Sequence, residues 1–457
     1  MTSAPVVRPM QIAASSLLAL HAAHPARYPA LFESAASGTP LGRFDVLFAH
    51  PQAALSLRAD GTLALPDGTA SEAPFLAALD AWWRELHIPR TGCALPFSGG
   101  WLVYLGYELA AEIEPRLRLH RPASGVIAHA VRIPAAVIHE HDSDRAWLVA
   151  EPAFAHLLDE IADDIAGLEE ATADSAPVDS ESSLAESIAE ENPARYIEIV
   201  HRALDYIGRG DIYQANLSRA WQGRLRPSIR PYDVYRRLRS TNPGPFCALA
   251  TFEEFTIVSS SPERLVRVHD GWISTRPIAG TRPRGADADT DRQLAAELHA
   301  HQKERAEHVM LIDLERNDLG RVCQAGTVAV DEYMTIESYA HVHHIVSNVR
   351  GRLRPDVGPG QSLAAVFPGG TITGCPKVRC MEIIAELEDT ARSAYTGSLG
   401  YLNRDGSMDF NILIRSLELR GSDFELRAGA GIVADSVAER ELEESRAKAR
   451  GVLRAIE

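Results

Sequence analysis

The chain has 457 residues, 46% hydrophobic and 24% charged, an ordinary globular composition that allows two or three domains or one large intertwined pair. A net charge of −16 argues against a general binder of nucleic acid or anionic membrane, yet permits a local basic site for a small anion. Cys93, Cys247, Cys323, Cys375 and Cys380 form no CxxC pair and no zinc spacing, which fits a reduced, cytoplasmic compartment. No apolar run suffices to span a membrane, and the N-terminal stretch lacks a signal peptide's basic region and cleavage site.

Residues 1–150 read as an α+β region, with β-like runs FDVLFAH, GGWLVYLGYEL, AHAVRIPAAVIHEH and RAWLVAE between helical stretches. Residues 151–192 read as a helix followed by a flexible acidic linker, rich in Asp, Glu, Ser and Ala. From residue 193 to 457 the motifs become dense. PARYIEIVHRALDYIGRGDIYQANLSRAW reads as helix, Gly turn and strand. FTIVSSSPERLVRV reads as strand, turn, strand, and GWISTRPIAGTRPRG as a strand entering a Gly/Pro/Arg loop. One long helix is expected next, started by a Thr290/Gln293 capping box, with Leu294, Leu298, Met310 and Leu314 as core positions. Two more strands and a C-terminal helix capped by Ser436 and Glu439 close the chain. Consecutive strands outnumber what a regular βαβ series needs. The expected class is α+β, with large antiparallel β-sheets and helices packed outside.

Two glutamate pairs carry the chemistry. Glu304 and Glu307, and Glu441 and Glu444, each have i, i+3 spacing on a helix, so each pair shares one face. If the helices face each other, four carboxylates converge and a hard divalent cation such as Mg²⁺ neutralises them; taken alone, each pair also suits a solvated helix face. In AGAGIVADS, Gly429 and Gly431 can bring backbone N–H groups to an anion as a nest, with Lys448 adding counter-charge, or can mark an ordinary bulge. Arg415, in the alternating strand NILIRSLEL, clamps a carboxylate if its face lines a cleft and is otherwise a surface residue. Glu263, on a turn between strands, serves as a general acid if its pocket closes. His344 is either a further site residue or a structural histidine; His341 and His343 alternate away from it.

Together these segments resemble the chorismate-utilising enzymes, a family that includes anthranilate, aminodeoxychorismate, isochorismate and salicylate synthases. The resemblance rests on SSSPERL, TRPIAGTRPRG, KERAEHVMLIDLERNDLGRV, FPGGTITGCPKVRCMEII, YTGSLGYL and GAGIVADS…EESRAKA, and covers residues 193–457 as the catalytic, chorismate-binding region. LFESA and NPGPFCALA add weaker support nearer the N-terminus. The resemblance implies two sheets packed face to face around a Mg²⁺-dependent site. Glu307 and Glu444 would be direct metal ligands, with Glu304 and Glu441 supporting them through waters. Lys448, Gly429 and Gly431 would help hold the ring carboxylate of chorismate. Arg415 and Tyr395 would hold the enolpyruvyl carboxylate, and Glu263 would protonate the departing C4 hydroxyl. His344 would lie near the enolpyruvyl group, with Thr371 and Thr281 lining the pocket.

Within the family, Gln214 stands where water-using members carry a lysine base, so ammonia is the expected nucleophile. Ala279 stands where many aminodeoxychorismate synthases carry a lysine that attacks the ring. The PIAGT motif alone fits anthranilate synthases, whereas FPGGTITGCPK fits the aminodeoxychorismate pattern. The expectation is an aminodeoxychorismate synthase component I of the PIAGT subclass, with anthranilate synthase as the alternative and a non-catalytic ligand-binding protein more remote. A separate glutaminase subunit would supply the ammonia, since no cysteine here has a nucleophile's setting.

Overall fold

The computed structural model describes residues 4–34, 42–122, 125–171, 182–338 and 342–457. Two large antiparallel sheets dominate it. In the first, the strand order is Val6–Met10, Arg145–Ala150, Ala135–Glu140, Phe44–Ala49, Ala30–Glu33, Phe246–Thr251, Thr256–Ser261, Ser416–Arg420, Asp423–Ile432, Gln214–Leu225 and Ala185–Glu190. In the second it is Ile278–Pro283, Val342–Arg352, Trp272–Thr275, Arg264–His269, Met408–Asn411, Ser398–Asn403, Gly100–Leu105, Val126–Ile133, Ala54–Arg58, Leu63–Ala64 and Ala70–Ser71. Each sheet is therefore N-terminal chain on one side and C-terminal chain on the other. The seams are the pairings of Ala30–Glu33 with Phe246–Thr251 and of Gly100–Leu105 with Ser398–Asn403.

The sheets pack face to face. Val46, Phe48 and Ile138 from one meet Leu102, Tyr104, Val131 and Leu399 from the other in a single buried layer. The alternate residues Leu47, Ala49 and Val137 face outward, where helices Ala14–Ala23, Leu157–Ala171, Pro231–Thr241 and Ala438–Leu453 cover them. Both strand faces are thus buried, which explains why FDVLFA reads as a nearly continuous apolar run rather than an alternation. Helices Phe75–Leu86, Gln302–Gly320 and Pro359–Val366 cover the outer face of the second sheet.

Several local expectations need correction. The long helix is two helices, Ala288–Ala300 and Gln302–Gly320, broken at His301, whose ψ of 109° is extended. Asp287, not Thr290, caps the first by accepting from the Asp289 and Thr290 N–H groups. The C-terminal helix begins at Ala438 after Val437, and Ser436 Oγ accepts from the Val433 N–H instead of capping it. On Gln302–Gly320 the buried stripe is His308, Leu311, Ile312, Glu315, Asp318 and Leu319, while Met310 and Leu314 are only half-buried. Polar residues on the inner face hid that periodicity. The Gly/Pro/Arg loop is largely a strand, Ile278–Pro283. The far end of the acidic segment, Ala185–Glu190, is an edge strand on Gln214–Leu225; the linker proper, 172–181, and His341 lie outside the described residues.

Candidate active site between the sheets

Two chain crossings build the centre. Thr256–Ser261 belongs to the first sheet and Arg264–His269 to the second, so Glu263 sits where the chain changes sheets. Met408–Asn411 and Ser416–Arg420 make the return crossing, and Arg415 sits there. Arg415 is not in a continuous strand as NILIRSLEL suggests. Its φ of 53° is left-handed, and its carbonyl accepts from the Ser260 N–H at 3.1 Å. The two crossings are tied together by the Ile412 N–H, which donates to the Glu263 carbonyl at 3.0 Å.

Glu263 is buried, and desolvation pushes its carboxyl up to about 7 despite opposing contributions from Thr371, the Ile278 N–H, Arg415 and Lys448. The Thr371 hydroxyl leans on this carboxyl without the geometry of a full hydrogen bond. Burial lowers Arg415, offset by its proximity to Tyr395, Glu263 and Glu444. Tyr395 is buried and its phenol is raised to about 12; Arg392 lies over its ring at 5.5 Å and is itself paired with Glu388. His344 falls to about 4 by burial, so it is neutral at physiological pH, and its Nδ1 is 3.0 Å from the Thr281 hydroxyl. Thr281 is exposed rather than enclosed, whereas Ala279, two residues earlier, is buried.

Two helices bring in the carboxylates. Gln214, at the start of its strand, donates from Nε2 to Glu307 Oε1 at 3.0 Å. That amide passes over Gly431, where a Cβ would stand 2.5 Å from Nε2. Lys448 donates to the Gly429 carbonyl at 3.0 Å and pairs with Glu444 at 2.8 Å. The helix Ala438–Leu453 is thus tied to the strand Asp423–Ile432, and Gln302–Gly320 to its neighbour Gln214–Leu225. Glu304 accepts from Arg282 at 3.1 Å in the first turn of its helix, and Gly280, at φ 68°, leaves room for its carboxylate. Gly429 and Gly431 do not form a nest. They are in register with Ser218 and Asn216, and Gly429 is glycine because the Leu217 carbonyl would lie 2.0 Å from a Cβ. Pairing with Ser416–Arg420 stops at Leu426, so beyond it that edge of the strand has no β partner among the described residues.

The structure adds a group that the sequence reading missed. Glu315 is buried, its carboxyl raised by desolvation and by the nearby Asp318 and Glu263, with Lys377 and Thr275 opposing. Lys377 pairs with Asp318. Glu315 and Asp318 have the same i, i+3 spacing as the two expected pairs, which was the available signal. A cavity of about 750 Å³ beside this cluster, lined by Asp318, Lys377, Cys375 and Tyr213, contains none of the expected site residues. LFESA and NPGPFCALA meet elsewhere: Phe32, Glu33, Ser34, Phe246 and Cys247 line a second cavity of about 370 Å³.

Glu263, a buried carboxyl raised to about 7, lies close to Arg415 and Lys448, an arrangement that suits an enzyme for a small anion. The profile of the chorismate binding enzymes matches residues 29–454, and the chain belongs to that family of chorismate-utilising enzymes. It is 38% identical to aminodeoxychorismate synthase component 1 of Bacillus subtilis, over 94% of this chain and 92% of that one. It is 42% identical to an anthranilate synthase component I-like protein of Synechocystis, over 79% of this chain and 74% of the relative. The crystal structure of anthranilate synthase component I from Streptococcus pneumoniae superimposes with a TM-score of 0.79 at 31% identity, covering 91% of this chain and 93% of that one. Among the described residues no helix is long and apolar enough to cross a membrane.

Proposed function

We propose that this chain is an aminodeoxychorismate synthase component I, which converts chorismate and ammonia to 4-amino-4-deoxychorismate for p-aminobenzoate and folate synthesis. The observation that carries this reading is the similarity to the Bacillus subtilis enzyme along nearly the full length of both chains. Anthranilate synthase is the second reading, favoured by the Synechocystis relative and by alanine in PIAGT.

In the proposed reaction Glu263, protonated near neutrality, gives its proton to the C4 hydroxyl, which leaves as water while ammonia bonds to C2. A second ammonia then bonds to C4 and the first leaves from C2, so the net exchange is hydroxyl for amine. Ala279 offers no amine for covalent capture of the ring, and the Gln214 amide does not deprotonate water; both features leave ammonia as the nucleophile. Arg415 and Tyr395 hold the enolpyruvyl carboxylate. Lys448 and the open strand edge at Gly429 and Gly431 hold the ring carboxylate. Neutral His344, steadied by Thr281, borders the enolpyruvyl group, and Thr371 orients the Glu263 carboxyl.

The donor set suits Mg²⁺: four carboxylates, with the hard oxygen of Gln214 Oε1 buried and lacking a hydrogen-bond partner. Glu307 and Glu444 would hold the ion, supported by Glu304 and Glu441. It would supply a positive centre for the substrate's carboxylate. Ammonia would come from a glutaminase subunit. Burial raises the thiols of Cys375 and Cys380 and pushes Cys323 up to about 11, so these thiols are not activated nucleophiles. The free cysteines suit a cytoplasmic enzyme.

The test is product identification with chorismate, Mg²⁺ and ammonium. An aminated product that keeps its enolpyruvyl group, and yields p-aminobenzoate only when a lyase is added, is expected. Fluorescent anthranilate with release of pyruvate would replace this reading with the second.

A further inference from the structure

On the opposite arm of the first sheet a different donor set comes together. Asp45, on Phe44–Ala49, is the direct cross-strand partner of His139, on Ala135–Glu140. His141 follows two residues later on the same side. Ligand atoms of these three residues all lie within 4.8 Å of one another. Asp45 and His139 are buried, and His141 is half-buried. They share the sheet face of Leu47 and Val137, which is covered by helices, not the face that meets the second sheet. Four strands separate Phe44–Ala49 from Asp423–Ile432, a distance of roughly 24 Å at the usual strand spacing. This place is therefore independent of the glutamate-lined site.

The hydrogen bonds around the trio leave Nδ1 of His139 open and aim Nε2 of His141 at Asp45. His139 Nε2 is 2.9 Å from Asp144 Oδ1, while its Nδ1 is buried with no hydrogen-bond partner. His141 bonds the Gly42 backbone carbonyl through its ring and turns Nε2 to Asp45 Oδ2 at 2.7 Å. Asp45 Oδ1 is fixed by the Ser34 N–H at 3.1 Å. A carboxylate or carbonyl behind each imidazole is the outer arrangement that orients metal-binding histidines and raises their basicity. A buried imidazole nitrogen with no partner is costly unless something fills its place.

We propose that Asp45, His139 and His141 form a second metal site, selective for a borderline divalent transition ion of the Zn²⁺ class. Two imidazoles and one carboxylate are the donors such ions favour, whereas Mg²⁺ takes oxygen. Three protein ligands leave a fourth tetrahedral position for water. The ion takes the position of the proton between His141 and Asp45, so binding releases that proton to solvent. It also clips Phe44–Ala49 to Ala135–Glu140.

The test uses the full chain, stripped with a chelator and titrated with Zn²⁺ against a chromophoric competitor in excess Mg²⁺. Wild type should bind one zinc more than His141→Gln. The Co²⁺-loaded wild type should show tetrahedral ligand-field absorption that His141→Gln lacks. Glu307→Gln should keep both signals. Asp144→Asn changes only an exposed outer partner of His139, so it needs no refolding of the core; it should weaken zinc binding about 10- to 100-fold. Equal zinc uptake and equal spectra in wild type and His141→Gln would overturn the site, as would loss of the zinc in Glu307→Gln instead.

Discussion

In the proposed reaction, Glu263 and the helix-borne pairs Glu304/Glu307 and Glu441/Glu444 are the same residue type put to opposite uses. Glu263 is buried at a chain crossing and its carboxyl rises to about 7. The other four lie on two helices, with Arg282 on Glu304, Gln214 on Glu307 and Lys448 on Glu444. A carboxyl that keeps its proton near neutrality is an acid; carboxylates flanked by cations and amides are ligands. Burial, not residue identity, separates the roles. Glu315 falls on the Glu263 side of that division although it shares a helix with Glu304 and Glu307.

The largest effect should come from the ligand side. Glu307→Ala should lower Mg²⁺-dependent turnover by on the order of 10³-fold, since a bound ion contributes several kcal/mol of charge stabilisation. Circular dichroism should show an unchanged fold. Full activity in this variant would refute the division. On the acid side, Glu263→Gln should lower kcat by about 10²- to 10⁴-fold with little change in KM, because only the proton is lost. Its pH profile sharpens the point. The acid must be protonated, so wild-type kcat, corrected for free ammonia, should fall as pH rises through about 7. A flat profile across that range would remove Glu263 from the role. Arg415→Ala should act mainly on KM, raising it roughly 10- to 100-fold, the value of a charge-assisted hydrogen-bonded clamp. A loss confined to kcat would mean that Arg415 serves the reacting centre instead.

Much of this arrangement was legible in the sequence. Each glutamate pair does lie on a helix, as its i, i+3 spacing suggests, and the motif order identified the family. What was not legible depended on long-range packing. Gly429 and Gly431 read as a nest because two closely spaced glycines followed by a helix carrying Lys448 suggest one. The actual reason for Gly429 is the Leu217 carbonyl on a neighbouring strand, which local sequence does not report. Arg415 read as a strand residue because NILIRSLEL alternates, but its left-handed φ comes from crossing between sheets. The 288–320 stretch read as one helix because His301 is no obvious breaker. His308, Glu315 and Asp318 then disguised its buried stripe. The two seams between N- and C-terminal strands leave no mark in either half's sequence.

The smallest effect tests the comparison through stability rather than rate. Glu263 has a native value of about 7 against 4.5 for a free carboxyl, so the native state holds a proton that the unfolded chain releases between those values. Stability therefore falls as pH rises from 4.5 to 7, and the full cost is present above 7. Removing the charge removes the cost. Glu263→Gln should thus be more stable than wild type at about pH 8, by at most about 3 kcal/mol, and the gain should vanish near pH 4, where both states are protonated. Denaturant melts at the two pH values measure it. The same replacement at Glu307, which is only half-buried and accepts from Gln214, should give a smaller gain. Equal gains at the two positions would mean that burial does not divide these glutamates, and the assignment of acid and ligands would lose its physical basis.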